Sequence, residues 1–157
     1  TLTAQQLARS TETYIPARME IVEQGGRVIV IDGSHNEQKI GSLAESMKAR
    51  FPDQKIAGLV SFVKDEESRS KNAVEAVTKL TNKLIITSFS GEQDTPKYSV
   101  DPERIAGYCE SLGFEKYQVI KDPAQAYEEL LKQPEPVLLI TGSFYLLNHI
   151  RPLIFKS

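Results

Sequence analysis

The sequence predicts an α/β fold: a Rossmann-like three-layer sandwich, a mainly parallel sheet of about six strands with helices on both faces. Three observations lead there. Short runs rich in Val, Ile and Leu alternate with longer stretches whose apolar residues recur at helical spacing. The runs carry little polar interruption, the pattern of parallel strands buried on both faces. The chain has 157 residues, 40% hydrophobic and 25% charged, enough for one soluble domain with a single core.

The elements follow in order. Residues 3–13 read as a short helix, with Thr3 and Gln6 as a capping box and Pro16 beyond its end. MEIV (19–22), before a Gly pair, offers an edge strand of antiparallel direction. RVIVID (27–32) is a buried strand. Residues 36–51 form a helix with Ile40, Leu43, Ala44, Met47 and Phe51 at helical spacing. Ser34 with Glu37 matches a capping box, Asp32 fills an early cap position, and Gly33 permits a tight turn. KIAGLVSFV (55–63) is a strand. Residues 66–81 form a helix with Ala73, Val74, Val77 and Leu80 on one face. KLIITSF (83–89) is a strand, and the loop 89–100 has no readable pattern. DPERIAGYCESLGF (101–114) is a helix with Pro102 in its first turn, where proline is tolerated. YQVI (117–120) is a short strand. DPAQAYEELLKQ (122–133) is a helix that starts the same way. PVLLITGS (136–143) is a strand, and residues 144–155 form a last helix, bent or ended near Pro152.

Composition excludes several function classes. The net charge of -2, without basic excess, argues against a nucleic-acid partner. No apolar run approaches the roughly 20 residues that span a bilayer, so no membrane partner is expected. The start has neither a basic segment nor an apolar one, unlike a signal peptide. Thr rather than Met stands first, and a chain processed or cut from something longer is expected. The single cysteine, Cys109, cannot form an internal disulfide, which fits a reducing compartment and a cytoplasmic location. Two histidines and one cysteine assemble no zinc site. Cys109, on a helix beside Tyr108, reads as a core or half-buried thiol rather than a nucleophile.

In a parallel sheet, ligands sit beyond the carboxyl ends of the strands, at a switch point. The residues just after each strand are therefore the candidates. After the first buried strand come Asp32, Gly33, Ser34 and His35. These can be a helix cap. They can also be a nucleotide wall, since helix N-termini attract phosphate, a strand-end carboxylate suits ribose hydroxyls, and an imidazole can bond either. No GxGxxG or GxxxxGK[ST] motif occurs. Lys64 and Asp65 follow the second strand. Thr141, Gly142 and Ser143 follow the last, either capping the final helix or offering a hydroxyl and free N–H groups to a carboxylate. Arg18, after Pro16, is either a solvated surface residue or an arginine on a hinge that swings onto a phosphate.

Four segments, PARMEI (16–21), IDGSHN (31–36), Lys64-Asp65 and ITGSFYL (140–146), in this order and spacing, resemble the C-terminal domain of folylpolyglutamate synthase, which in many bacteria is also dihydrofolate synthase. That domain is shared in outline with the Mur ligases. The resemblance covers the chain from about residue 14. Residues 1–15 would be a linker and the tail of a preceding domain, and 16–157 the Mur ligase C-terminal-like domain. The chain departs from the family pattern at four places. Ser34 stands for the usual Ala and Glu37 for the usual Pro. Val63 replaces the first acid of the usual DKD, and TPKYS, with Lys97, replaces a Pro-Arg pair.

The resemblance implies an ATP-dependent ligase that adds L-glutamate to folate through an acyl phosphate. ATP would sit on a P-loop in a central domain absent from this chain, which would also supply the Mg ligands. By motif match, Arg18 would reach the ATP phosphates, Asp32 the ribose, and His35 the nucleotide near its phosphates. By position, Ser143 and, less directly, Lys64 would hold glutamate. The domain would act as a lid, inactive alone, in an enzyme expected to be monomeric. Two alternatives stand beside this: a Mur-type ligase of a cell-wall precursor, and a non-catalytic α/β binding module.

Overall fold

The computed structural model describes residues 19–64, 67–91 and 97–155. The helix expected over 3–13, and both Arg18 and Asp65, lie outside them. A six-stranded sheet carries the order β1-β2-β8-β3-β4-β7. Its strands are β1 (Glu20–Gln24), β2 (Arg27–Ile31), β3 (Ile56–Val60), β4 (Lys83–Ile86), β7 (Tyr117–Val119) and β8 (Val137–Thr141). All pairings are parallel except β1 with β2, which is antiparallel. The edge strand anticipated at MEIV is therefore present, turned back on β2 through Gly25 and Gly26, both at positive φ.

Among the described residues there are five helices: α1 (Glu37–Arg50), α2 (Glu67–Leu80), α3 (Pro102–Ser111), α4 (Pro123–Leu131) and α5 (Phe144–Ile154). The strands' period of two sorts them onto two faces. Ile29, Ile31, Leu59, Leu138 and Ile140 face α4 and α5, against Ala126, Leu130, Leu146 and Ile150. Val30, Leu139 and Ile56 face α1 at Leu43 and Met47. Val60, Leu84 and Ile86 face α2 and α3 at Val74, Val77 and Ile105. This is the three-layer sandwich the alternation predicts. β2, β3, β4 and β8 hold the sheet's fully buried aliphatics, each large one worth roughly 1.5–3 kcal/mol on burial.

Several strands are shorter than the apolar runs that announce them. KIAGLVSFV yields Ile56–Val60, and KLIITSF yields Lys83–Ile86, because pairing stops where the neighbouring strand ends. Pro152 sits inside α5, two residues before its end. There the missing N–H removes only one bond of the final turn.

The patternless loop 89–100 also differs from expectation. β5 (Ser90–Gly91) and β6 (Lys97–Tyr98) pair antiparallel. Val63 bridges Ser99, the Lys64 N–H donates to the Tyr98 carbonyl at 2.8 Å, and the Val100 N–H to the Phe62 carbonyl at 2.8 Å. This arm is stitched to the segment that leaves β3.

The topology fixes where a ligand can sit. β2 leads into α1 on one face of the sheet, and its neighbour β8 leads into α5 on the other. With helices leaving on opposite faces, the carboxyl ends of β2 and β8 form a switch point, the place where ligands of such sheets bind.

Candidate functional site

The turn after β2 is built around Asp32. Apolar β2 carries the carboxylate to the sheet's end, where it is only 7% exposed. Its Oδ1 accepts the Ser34 N–H at 2.7 Å and the Ser34 hydroxyl, and its Oδ2 accepts the Met19 N–H at 2.8 Å. A buried carboxylate needs such donors, and here it draws two from backbone on either side. The expected Ser34–Glu37 capping box is therefore not formed. Asp32 takes the Ser34 hydroxyl, and Asn36 becomes the N-cap of α1, accepting the Lys39 N–H at 2.8 Å. Asp32 occupies no cap position, since the helix begins only at Glu37.

The turn after β8 locks onto this one. The Gly142 N–H and the Thr141 hydroxyl both donate to the Ser34 carbonyl, at 2.9 and 3.1 Å. Thr141 therefore ties two turns together instead of capping α5. Ser143 is the cap, accepting the Tyr145 N–H at 3.0 Å. Gly142 has φ +112, and a Cβ there would lie 2.6 Å from the Ser61 carbonyl oxygen. Gly33 does not have a positive φ. It packs under the Phe144 ring instead, a carbon of which lies 2.4 Å from where its Cβ would be. The tight-turn reading of Gly33 gives way to one of close packing.

Between β1, the β2 turn and α1 lies a cleft of about 740 Å³, lined by Met19, Asp32, Gly33, Ser34, Gln38, Lys39, Ser42, Leu43, Ser46 and Phe144. That volume is ordinary for a small-molecule site. The walls mix neutral polar residues (Ser34, Gln38, Ser42 and Ser46) with apolar ones (Met19, Leu43 and the half-exposed Phe144), and carry one acid (Asp32) and one base (Lys39).

The predicted site residues are only partly gathered. Asp32 lines this cleft. His35 lines a separate recess of about 30 Å³ with Phe62, Val63, Arg69 and Ser70. Its Nδ1 lies 3.3 Å from the Gly33 carbonyl, which can only accept, so Nδ1 is the donor and Nε2 is the nitrogen left for a ligand. Asp32 and His35 thus stand on two sides of one turn. Ser143 is buried beneath α5, with its hydroxyl committed as a cap. Lys64 is exposed, and neither residue lines the cleft. Arg18 lies outside the described residues, one peptide from Met19.

The sequence reading missed the other cleft residues. Gln38, Ser42 and Ser46 recur every four positions, a polar stripe that also describes any solvated helix face. It missed Ser61 as well, whose hydroxyl is buried and without a partner beside Gly142. Cys109 is fully buried, as expected, and burial pushes its thiol up to about 11, which disfavours the reactive thiolate. Among the described residues no group of three or more His, Cys, Asp or Glu is placed to hold a metal ion, and no helix is long and apolar enough to cross a membrane.

Comparison with known proteins agrees with the fold. The dihydrofolate synthase/folylpolyglutamate synthase of Bacillus subtilis (strain 168) is 28% identical over 136 residues, 87% of this chain and 30% of that protein. The Mycobacterium tuberculosis folylpolyglutamate synthase, solved with ADP and AMPPCP, superposes with a TM-score of 0.72 at 18% identity, over 100% of this chain and 36% of that one. The bifunctional enzyme of Yersinia pestis, solved with AMPPNP and a Mn ion, gives 0.74 at 13% identity, over 98% and 35%. At such identities these structures show a shared fold. The chain spans about a third of the length of each protein it matches. The family model described as "Mur ligase, glutamate ligase domain" matches residues 17–144. With most of its length matched, the chain belongs to that family.

Proposed function

We propose that this chain is the C-terminal domain of an ATP-dependent ligase that adds L-glutamate to folate, and that it closes as a lid over ATP. The observation that carries the reading is the cleft beside the β2 turn, with Asp32 in its wall and the amino end of α1 at its side. The B. subtilis relative, a dihydrofolate synthase/folylpolyglutamate synthase, favours folate over a cell-wall precursor or a non-catalytic module. The nucleotides in the M. tuberculosis and Y. pestis structures favour an ATP-type ligand.

In this reading a preceding domain holds ATP on its P-loop, together with Mg, which would neutralise charge on the transferred phosphates. The γ-phosphoryl group passes to a folate carboxylate and forms an acyl phosphate. The glutamate amine then attacks that carbonyl carbon and inorganic phosphate leaves. This domain supplies electrostatics and water exclusion. Arg18 reaches the phosphates from the linker, and a free lone pair of Asp32 meets the ribose. His35 approaches the nucleotide from the other side of the turn, with Nε2 available. Ser143 and Lys64 are assigned to glutamate, Ser143 through its hydroxyl proton because its oxygen already caps α5. The enzyme is assigned to the cytoplasm as a monomer, with neither nucleic acid nor membrane as partner. The 157-residue chain alone has no turnover in this account.

The test is kinetic. In the complete ligase, Arg18→Ala and Asp32→Ala each raise the KM for ATP or lower turnover by at least about tenfold, the scale of one lost charged contact. Wild-type constants in both variants overturn the assignment, and so does ligation by the isolated chain.

A further inference from the structure

We propose that Phe144 is the base-stacking residue of the nucleotide site: its ring, seated beside Asp32, takes the flat face of the purine. This rests on the nucleotide reading above, which assigns the ribose and the phosphates and leaves the base without a place. Three observations carry it.

The first is where the ring lies. Two aromatic residues open α5, and they serve different surroundings. Tyr145 packs against the core and stacks on Phe89, with ring centroids 5.8 Å apart. Phe144 is 43% exposed and lines the cleft instead. A single exposed Phe on a convex surface needs no explanation. One in the wall of a cleft offers a flat apolar face to whatever fills it.

The second is how the ring is seated. Three of its carbons lie 2.4, 2.6 and 2.8 Å from where a Cβ on Gly33 would be. The ring therefore rests on the bare backbone of the residue next to Asp32. Its own backbone is fastened there too. The Gly142 N–H donates to the Ser34 carbonyl at 2.9 Å, and the Ser143 hydroxyl caps the helix that Phe144 begins. Ring and carboxylate are thus held side by side where the two turns meet.

The third is the acceptor inventory of Asp32. Oδ1 accepts both the N–H and the hydroxyl of Ser34, which fills its two lone pairs. Oδ2 accepts the Met19 N–H and keeps one lone pair. The carboxylate can therefore anchor one ribose hydroxyl at a fixed point. The base is joined directly to that sugar, so it comes to lie against the adjoining wall, where Phe144 stands. Stacking on an aromatic ring needs only the π-face that every base has. Phe144 then supplies affinity for the base, while Asp32 holds the sugar.

Kinetics of the complete ligase test this. Phe144→Ala should raise the KM for ATP about tenfold, the scale of one lost base–aromatic stack. Its kcat should stay within about twofold of wild type, because the base is remote from the transferred phosphoryl group and contributes uniform binding. That kcat also reports that the variant is folded. Phe144→Tyr, which keeps the ring, should hold the KM within about twofold. Ribose 5′-triphosphate, which carries no base, isolates the contact: its kcat/KM should be the same in wild type and Phe144→Ala. Gly33→Ala pushes the ring off its seat and should also raise the KM for ATP. Added to Phe144→Ala, it should raise the KM no further, since the ring through which it acts is gone.

The proposal is overturned by Phe144→Ala with a wild-type KM for ATP, by one altered only in kcat, or by one that loses as much with ribose 5′-triphosphate as with ATP. Asp32→Ala tells this failure from that of the underlying reading. If Asp32→Ala is impaired and Phe144→Ala is not, the stacking assignment alone falls. If Asp32→Ala is itself wild type toward ATP, the nucleotide reading is what fails.

Discussion

Gly142 and Gly33 form a pair whose substitution by Ala separates rigid from yielding contacts. By distance alone Gly33 looks worse: its added Cβ would lie 2.4 Å from a Phe144 ring carbon, against 2.6 Å from the Ser61 carbonyl oxygen for Gly142. The neighbours decide otherwise. The Phe144 ring is 43% exposed at the start of α5 and can swing aside. Ser61 presents backbone at the end of β3, and the added methyl would meet its carbonyl oxygen, carbon and nitrogen together. Gly142 also has φ +112, which a side chain strains by roughly 1–3 kcal/mol. Overpacking against fixed atoms adds about 1–3 kcal/mol. Gly142→Ala should therefore lose about 2–6 kcal/mol, and Gly33→Ala under about 1 kcal/mol, since a yielding ring relieves the contact. Urea denaturation checks this. With a slope of roughly 2 kcal/mol/M, the Gly142→Ala midpoint falls by at least about 1 M. A loss in Gly142→Ala smaller than in Gly33→Ala would refute the reasoning.

Further outcomes follow from single contacts. Asn36→Ala should destabilise the chain by about 1 kcal/mol through loss of the α1 cap, whereas Glu37→Ala should change stability by less than about half of that; equal effects in the same urea titration would restore the capping box. Cys109 should react with a thiol reagent only as fast as the chain unfolds, since it is fully buried. Its proton also predicts a pH dependence. Below about pH 9 the thiol is neutral in both states. Above that the unfolded chain releases the proton while the folded one holds it until about 11. Stability contributed by the buried neutral thiol is thus lost as pH rises from about 9, and Cys109→Ala should flatten that decline between pH 9 and 10. A Cys109→Ala curve parallel to wild type would remove the thiol as its cause.

What the sequence revealed and what it hid divide by range. The strands were legible because VIVI and LLIT are too apolar to be anything but buried, and the helices because Ile40, Leu43 and Met47 repeat at helical spacing. Asp32 was legible because a strand ended there. Its role was not. Ser34 and Asn36 are both good cap residues, and the choice between them depends on Asp32 capturing the Ser34 hydroxyl. The pairing of Ser90–Gly91 with Lys97–Tyr98 was unreadable because its support comes from residues 62–64. Gly33 and Gly142 announced tight geometry without naming Phe144 and Ser61 as the cause. The cleft itself was hidden, since Gln38, Ser42 and Ser46 look like any wet helix face until Met19 is folded against Asp32.

The central claim is tested most directly by acceptor-dependent phosphate release from the complete ligase, measured with ATP and L-glutamate. A folate acceptor should stimulate release, and Arg18→Ala should suppress it at least about tenfold. Release that responds to a UDP-sugar peptide and not to folate, or that is indifferent to Arg18, would contradict the account.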